Sequence, residues 1–189
     1  MNAIWQMWAK ALSDELCDKI ITECEYYQPI EAQIGDVGSK VQDTYRKSIV
    51  RWVNKDDENS RFIHDLLWKY GNIANRNAFG FNITSLYEIQ YTIYEGSNNG
   101  FYKMHHDTFW ANNTTFDRKI SLTVQLTDPK DYDGGEFMFD QEYQQPDAQQ
   151  LKQRGTVLAF ASPIKHHVKP VTRGTRKCLV AWIEGPKWR

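Results

Sequence analysis

The sequence has few cysteines, and the three present form no recognisable metal or redox motif. Cys17, Cys24 and Cys178 are an odd number and lack the CxxC spacing of a zinc site. They therefore indicate reduced thiols in the core of an intracellular protein. Cys17 and Cys24 lie seven residues apart, close to two helical turns, so we expect both to face the same core.

The sequence also lacks a surplus of charge and a long apolar run. Its 189 residues carry a formal net charge of −1, which does not supply the basic field that nonspecific nucleic-acid binding needs. The N-terminus has no basic segment followed by an apolar one, and no apolar run reaches membrane-spanning length. We therefore expect a soluble, cytoplasmic protein without a membrane partner.

No repeat, linker or low-complexity tract divides the chain. With 41% hydrophobic and 14% aromatic residues, a chain of this length can bury one sizeable core. We therefore expect residues 1–189 to form a single domain.

Helical periodicity is confined to the first part of the chain. Ser13 is a candidate N-cap, and apolar residues recur at helical spacing as far as Cys24, which predicts a helix from Asp14 to Tyr26. A second apolar stripe predicts another helix within residues 59–74.

Strand periodicity dominates the rest of the chain. An arm or first strand is expected within residues 1–10, and residues 118–127 alternate clearly between apolar and polar side chains. Residues 128–135 are expected to form a turn, and the apolar run 155–161 predicts a buried strand. Two helices and about eight strands predict a mainly β fold with flanking helices, a double-stranded β-helix (jelly roll) in which the N-terminal helices buttress one sheet.

His105 and Asp107 lie two residues apart in a predicted strand. Because successive side chains of a strand point to opposite faces, these two share a face and His106 points to the other. One imidazole and one carboxylate are two of the three ligands of a facial triad, the arrangement that suits non-haem Fe(II), and His166 is the candidate third ligand. An HxD pair alone is a weak motif, since paired histidines are also common as surface polar residues.

Several further segments stand in a fixed order around these residues. They are Tyr94-Glu95, Gly100-Phe101-Tyr102, Gly134-Gly135-Glu136-Phe137, the run 155–160 and the run 170–176. In order and spacing they resemble the Fe(II)/2-oxoglutarate dioxygenases of the prolyl 4-hydroxylase type, from residue 11 to residue 183.

The resemblance implies an oxidoreductase and a role for individual residues. It implies that His105, Asp107 and His166 bind iron, and that Arg176 pairs with the far carboxylate of 2-oxoglutarate, where a planar guanidinium can hold it in a bidentate manner. The implied cofactors are Fe(II), the cosubstrate 2-oxoglutarate and O2, with ascorbate as a candidate accessory. Further residues expected to bind the cosubstrate are Tyr94, Tyr102, Thr123 and Trp182.

Three of these assignments have structural alternatives. Tyr94 and Tyr102 could instead be core or rim aromatics. Arg176 could be a solvated turn charge, although it points inward if Trp182 does, because the two share a strand face from which Lys177 points away.

The pattern Arg46-x-Ser48-x-x-x-Trp52 resembles a segment near the substrate groove of prolyl hydroxylases, where the Arg and Ser contact the peptide. Together with Trp110, in a loop expected at the mouth of the site, it implies a protein or peptide substrate containing proline. Alternatively, Arg46 and Arg51 are solvated charges of an edge strand, with Trp52 in the core.

Other classes of function are also compatible with these residues. An oxygenase acting on a nucleobase or small molecule would use the same metal chemistry, although the lack of a basic patch disfavours nucleic acid. A non-catalytic cupin-like metal-binding module would share the jelly roll but would not need an inward Arg176. A zinc hydrolase would need a glutamate base beside the metal, for which Glu136 is the nearby candidate.

The polar segment 31–42 is expected to be a loop that closes over a substrate.

Overall fold

Two antiparallel β-sheets make up most of the fold. The computed structural model describes residues 3–32, 44–108 and 115–188. Within them, the twelve strands are β1 (Trp5–Trp8), β2 (Ile30–Glu31), β3 (Arg46–Lys47), β4 (Ile49–Val53), β5 (Ser85–Glu95), β6 (Phe101–His105), β7 (Phe116–Gln125), β8 (Tyr132–Gly134), β9 (Phe137–Phe139), β10 (Val157–Ala161), β11 (His166–Val168) and β12 (Val171–Pro186).

Strands that are distant in sequence pair with one another, as a jelly roll requires. The major sheet has the order β1-β10-β7-β12-β5-β4-β2, with β8 added beside β12, and the minor sheet has the order β3-β6-β11-β9. The predicted mainly β architecture is therefore confirmed. The prediction of about eight strands was too low, because β2, β3 and β8 contain only two or three residues each and cannot display a periodic pattern. Residues 128–135 are accordingly not only a turn, since β8 lies within them.

Helix α1 (Asp14–Glu25) begins where its capping residue predicts. The Oγ of Ser13 accepts a hydrogen bond from the backbone N–H of Leu16 at 3.3 Å, which satisfies one of the free donors of the first turn. Cys17, Ile20 and Cys24 are fully buried on one face of the helix. The predicted helix is confirmed to within one residue, and the two cysteines do face the same core.

Helix α2 (Arg61–Ala74) packs against the outer face of the major sheet. Ile63 and Leu67 are fully buried, and a Cβ at Gly71 would lie 2.0 Å from Cδ1 of Ile183, so the helix backbone lies close to β12. A π-helical turn (Asn75–Phe79) extends α2, and a short helix α3 (Ala148–Lys152) precedes β10. Among the described residues, no helix is long and apolar enough to cross a bilayer.

Strand β7 separates the hydrophobic core from the interior of the jelly roll. Ile120, Leu122 and Val124 are fully buried and belong to the core cluster that packs against the helices. The alternate residues Ser121 and Thr123 are also buried, although they are polar. The predicted alternation of apolar and polar side chains is confirmed from Ile120 to Val124.

We expect Leu67→Ala to lower the free energy of unfolding by about 2–5 kcal/mol, because it leaves a cavity between α2 and the major sheet. Leu66→Ala is the matched control. Leu66 is only partly buried, so its truncation leaves a smaller cavity and should lower the free energy of unfolding less. Urea denaturation of both variants measures the difference, and equal destabilisation would contradict this description of the core.

Candidate active site

The neighbouring strands β6 and β11 of the minor sheet bring together three side chains that could hold a metal ion, those of His105, Asp107 and His166. The antiparallel register of these strands places His166 opposite His105, and Asp107 lies two residues after the end of β6. Nε2 of His105 lies 3.6 Å from Oδ1 of Asp107, and Nε2 of His166 lies 3.7 Å from Oδ2 of the same carboxylate. The three ligand atoms lie within 4.8 Å of one another, so one ion can reach all of them.

Both imidazoles are oriented by a backbone carbonyl two residues earlier in the chain. Nδ1 of His105 lies 2.8 Å from the carbonyl oxygen of Lys103, and Nδ1 of His166 lies 2.9 Å from that of Ile164. A carbonyl only accepts, so Nδ1 carries a proton in each ring, and in the neutral imidazole the lone pair is then on Nε2, which faces the site. This outer contact is typical of histidine ligands of metals.

The protonation states of the group also fit metal binding. Burial, followed by the neighbouring imidazole of His166, lowers the pKa of His105, so this ring stays neutral near pH 7. Burial acts to raise the pKa of the Asp107 carboxyl, but the neighbouring imidazoles and the guanidinium of Arg118 outweigh it and hold the pKa below its usual range. Ser121 adds a hydrogen bond from Oγ to Oδ2 of Asp107 at 2.6 Å. Neutral imidazole and ionised carboxylate are the forms that bind a metal ion.

A cavity of about 550 Å³ opens directly on these three side chains. Side chains of both sheets line it, so it occupies the interior of the jelly roll. All five residues predicted to bind the cosubstrate line this cavity: Arg176, Tyr94, Tyr102, Thr123 and Trp182.

Arg176 is a buried cation without an acidic partner in the described part of the chain. Only 1% of its surface is exposed, and its NH1 lies 3.7 Å from Sγ of Cys178. The other groups that act on its pKa are the phenols of Tyr132 and Tyr94. Lys177 lies on the opposite strand face and binds Oε1 of Glu25 at 2.8 Å, as the alternation predicts. The alternative of a solvated turn charge is wrong, and a buried guanidinium in this environment suits an anionic ligand.

Tyr94 and Tyr102 combine a core position with a place in the cavity wall. Tyr94 is 3% exposed, with the guanidinium of Arg176 centred 5.5 Å from its ring, and burial raises the pKa of its phenol. Tyr102 stacks on the imidazole of His105 with a ring separation of 3.6 Å. The two aromatics therefore connect the three metal-ligating residues with Arg176.

The segment predicted to contact substrate lies beside the cavity. Arg46 is 7% exposed and donates from Nε to Oγ of Ser48 at 2.8 Å and from NH2 to Oε1 of Gln90 at 2.7 Å. Ser48 is not part of the cavity lining and instead orients Arg46. Trp52 is 41% exposed and lines the cavity. The alternative that placed Arg46 in solvent and Trp52 in the core is therefore wrong.

The remaining candidates divide between the cavity wall and other positions. His106 does not belong to the group that could hold a metal ion, as predicted, but it lines the same cavity and so does not face entirely away from it. Glu136 does not line this cavity, so it is not placed to act as the base of a zinc hydrolase. Trp110 and most of the segment 31–42 lie outside the described residues.

Arg118 lines the cavity although sequence reasoning did not identify it. Its NH2 donates to Oε2 of Glu88 at 2.6 Å, and its guanidinium lies 3.8 Å from the ring centroid of Trp182. Strict alternation would place Arg118 on the core face together with Ile120. The pairing of β7 with β12 shifts by one residue at Lys119, and this β-bulge turns Arg118 to the other face. A local irregularity of this kind leaves no periodic signal in the sequence.

Comparison with known proteins extends these observations. The model of the 2OG-Fe(II) oxygenase superfamily matches residues 89–184, slightly more than half of the chain. A PKHD-type hydroxylase of Herminiimonas arsenicoxydans is 33% identical over 95 residues, which cover 48% of this chain and 40% of that protein. The matched part thus spans less than half the length of the curated relatives.

Solved structures show the same fold. A prolyl-4-hydroxylase of Pseudomonas putida superimposes with a TM-score of 0.74 at 20% identity, covering 98% of this chain and 94% of that one. A prolyl hydroxylase of Trichoplax adhaerens, in complex with a peptide of hypoxia inducible factor, has a TM-score of 0.74 at 15% identity, covering 95% and 83%. With the matched family model and the converging side chains, the conclusion is that this chain belongs to the 2OG-Fe(II) oxygenase superfamily.

Proposed function

We propose that this protein is an Fe(II)- and 2-oxoglutarate-dependent hydroxylase that acts on a prolyl residue of a protein or peptide. The observation that carries the proposal is one cavity that contains both a His–Asp–His group and a buried arginine without an acidic partner in the described residues. Relatives called PKHD-type hydroxylases and the folds of prolyl hydroxylases support the choice of reaction.

In this proposal His105, Asp107 and His166 hold the iron. Two neutral nitrogens and one ionised carboxylate form the ligand set that non-haem Fe(II) enzymes use, and they leave coordination positions open for other ligands. When bound, Fe(II) together with O2 and 2-oxoglutarate supplies an oxidant that can hydroxylate a C–H bond, with succinate and CO2 as coproducts. The protein orients the ligands through the Lys103 and Ile164 carbonyls and through Ser121.

Arg176 would receive the far carboxylate of 2-oxoglutarate. A dicarboxylate that reaches from the His–Asp–His group to Arg176 supplies the negative charge that this buried guanidinium lacks, through charge-assisted hydrogen bonds. The phenol of Tyr94 lies beside Arg176, and Thr123, Tyr102 and Trp182 form walls around the same space. A non-catalytic cupin-like module would have no use for an arginine in this place.

The substrate would approach over Arg46 and Trp52. Arg46 is held by two neutral acceptors, Ser48 and Gln90, so further guanidinium donors are free to meet a peptide carbonyl. The exposed ring of Trp52 offers an aromatic surface to a prolyl ring at the same opening. Trp110 is proposed as a further contact at the mouth of the site.

The domain, the location and an accessory cofactor complete the proposal. We propose one domain over residues 1–189, because β1 and β12 belong to the same sheet. We propose a cytoplasmic location, because all three cysteines are free and buried. Ascorbate is proposed as an accessory reductant that returns the iron to Fe(II).

The direct test is incubation of the protein with Fe(II), 2-oxoglutarate, O2 and a panel of proline-containing peptides. We expect mass spectrometry to detect a gain of one oxygen on proline together with succinate formation. Oxidation of oligonucleotides in a parallel panel, without oxidation of peptides, would replace the prolyl substrate with a nucleobase.

We expect His105→Ala, Asp107→Ala and His166→Ala each to abolish Fe(II)-dependent succinate formation. Loss of a ligand should cost more than the roughly 10–100-fold that is typical of removing an outer contact. His106→Ala should retain metal binding, because that ring does not belong to the ligand group. Metal titration of the four variants tests the assignment, and loss of metal in His106→Ala alone would show that it is wrong.

We expect Arg176→Met to raise the concentration of 2-oxoglutarate needed for half-maximal turnover by about 100-fold, because a neutral side chain leaves the far carboxylate unpaired. Iron binding should change little. Lys177→Met is the matched control, since this neighbouring cation lies on the opposite strand face. Unchanged turnover of Arg176→Met at low 2-oxoglutarate would remove Arg176 from the site.

We expect the double substitution Arg46→Ala with Ser48→Ala to weaken hydroxylation of proline peptides about tenfold or more through a higher peptide KM. The slow conversion of 2-oxoglutarate to succinate without peptide should be retained, because neither residue is a proposed metal ligand or a proposed cosubstrate-binding residue. Arg51→Ala is the control, as its guanidinium binds backbone carbonyls outside the cavity. Equal loss of both activities would indicate damage to the fold.

A further inference from the structure

Strand β6 contains a β-bulge directly before His105. His166 pairs with His105 and Val168 pairs with Tyr102, so two steps along β11 correspond to three steps along β6. In a regular strand, residues three positions apart point to opposite faces. The extra residue in β6 brings Tyr102 and His105 to the same face, and both side chains line the cavity of the active site.

Hydrogen bonds hold the backbone of this bulge in one conformation. The backbone N–H of Lys103 donates to the carbonyl oxygen of Tyr45 at 2.9 Å, and the hydroxyl of Tyr45 donates to the carbonyl oxygen of Met104 at 2.7 Å. The carbonyl oxygen of Lys103 accepts the hydrogen bond from Nδ1 of His105. The bulge and the imidazole are therefore fixed relative to each other at one atom of the ring.

The ring of Tyr102 supplies a second contact to the same imidazole. The two ring centroids lie 3.6 Å apart, and the ring planes are inclined by 19°. The hydrogen bond at Nδ1 alone would let the imidazole tilt about the axis of that bond, whereas a flat ring stacked on its face opposes the tilt. Together the two contacts hold Nε2 of His105 beside the carboxylate of Asp107.

Tyr102 is itself held by neighbouring side chains. The guanidinium carbon of Arg46 lies 4.4 Å from the centroid of the Tyr102 ring, and these two residues are paired across β3 and β6. Tyr45 meets the Tyr102 ring edge-on, with the centroids 6.1 Å apart. The ring therefore has a defined position before a metal ion or a substrate arrives.

The other imidazole of the group is supported differently. The ring of His166 contacts Phe160 of β10 at a centroid distance of 4.7 Å and Phe137 of β9 at 5.2 Å. It keeps one of these neighbours if the other is removed. In the described part of the chain, the rings that contact His105 are those of Tyr102 and His166. The orientation of His105 thus depends on one aromatic side chain.

We propose that Tyr102 is a positioning residue of the metal site, whose ring holds the His105 imidazole in the orientation that binds the metal ion. This role differs from the cosubstrate contact expected of Tyr102, because it requires the aromatic ring and not the hydroxyl. The inference rests on the proposed function, since it assumes that His105 is a metal ligand.

The test measures the affinity for Mn(II), which stands in for Fe(II), by calorimetry without 2-oxoglutarate, so that contacts with the cosubstrate do not enter the result. We expect Tyr102→Leu to weaken Mn(II) binding about tenfold, because the imidazole loses its stacked ring. Tyr102→Phe keeps the ring and should bind Mn(II) within about twofold of the wild-type protein.

Phe137→Leu is the matched comparison within the same cavity, because His166 keeps its contact with Phe160. We expect this variant to lose less Mn(II) affinity than Tyr102→Leu does. Thermal unfolding of the metal-free variants shows that each is folded. Should Tyr102→Leu fail to fold, Tyr102→Met takes its place with the same expectation, since it also lacks an aromatic ring.

Visible absorption of the Co(II)-loaded protein gives a second readout, because its bands depend on the number and arrangement of the metal ligands. The bands of Tyr102→Leu should differ from those of the wild-type protein. Those of Tyr102→Phe should not.

Three outcomes would overturn the inference. They are wild-type Mn(II) affinity in Tyr102→Leu, an equal loss in Tyr102→Leu and Tyr102→Phe, and a loss in Phe137→Leu as large as that in Tyr102→Leu. Failure of the wild-type protein to bind Mn(II) is a different result, which would overturn the proposed function and the inference with it.

Discussion

The pairing of β6 with β11 is the constraint on which the rest of the site depends. It places His105 opposite His166 although the two are far apart in the chain, and the carboxylate of Asp107 closes the group from the end of β6. The same strand ladder also fixes the Lys103 carbonyl that orients the His105 ring. The two histidines of this group lie on paired strands that backbone hydrogen bonds hold together, so their relative position does not depend on a flexible loop.

Strand β12 determines which of two neighbouring cations faces the cavity. Arg176, Cys178, Val180 and Trp182 face the cavity, while Lys177 between them faces the other way and pairs with an acid. Two neighbouring cations thus have different environments, because one is buried among phenols and a thiol and the other is partly exposed beside a carboxylate. Of these two cations, Lys177 has a carboxylate partner, whereas Arg176 has none among the described residues.

The helices pack on one face of the major sheet, and the cavity lies on its other face. Apolar residues of β7 such as Leu122 and Val124 pack with α1 and α2, and the burial of these helices stabilises the sheet from outside. The inner face carries Ser121 and Thr123, which bind Asp107 or line the cavity. A rigid outer core therefore supports an inner wall whose polar groups are already in position before any ligand arrives.

Local pattern and short spacing were sufficient for the two long helices, the alternation of β7, the shared face of His105 and Asp107, and the shared face of Arg176 and Trp182. Each of these depends on the fixed period of a helix or strand. Tertiary structure alone decided the rest. The bulge at Lys119 turned Arg118 inward, Ser48 became a support for Arg46, and the bulge in β6 brought Tyr102 onto His105. These features arise from pairing between distant strands, whose register is set by packing of the whole sheet and has no period in the sequence.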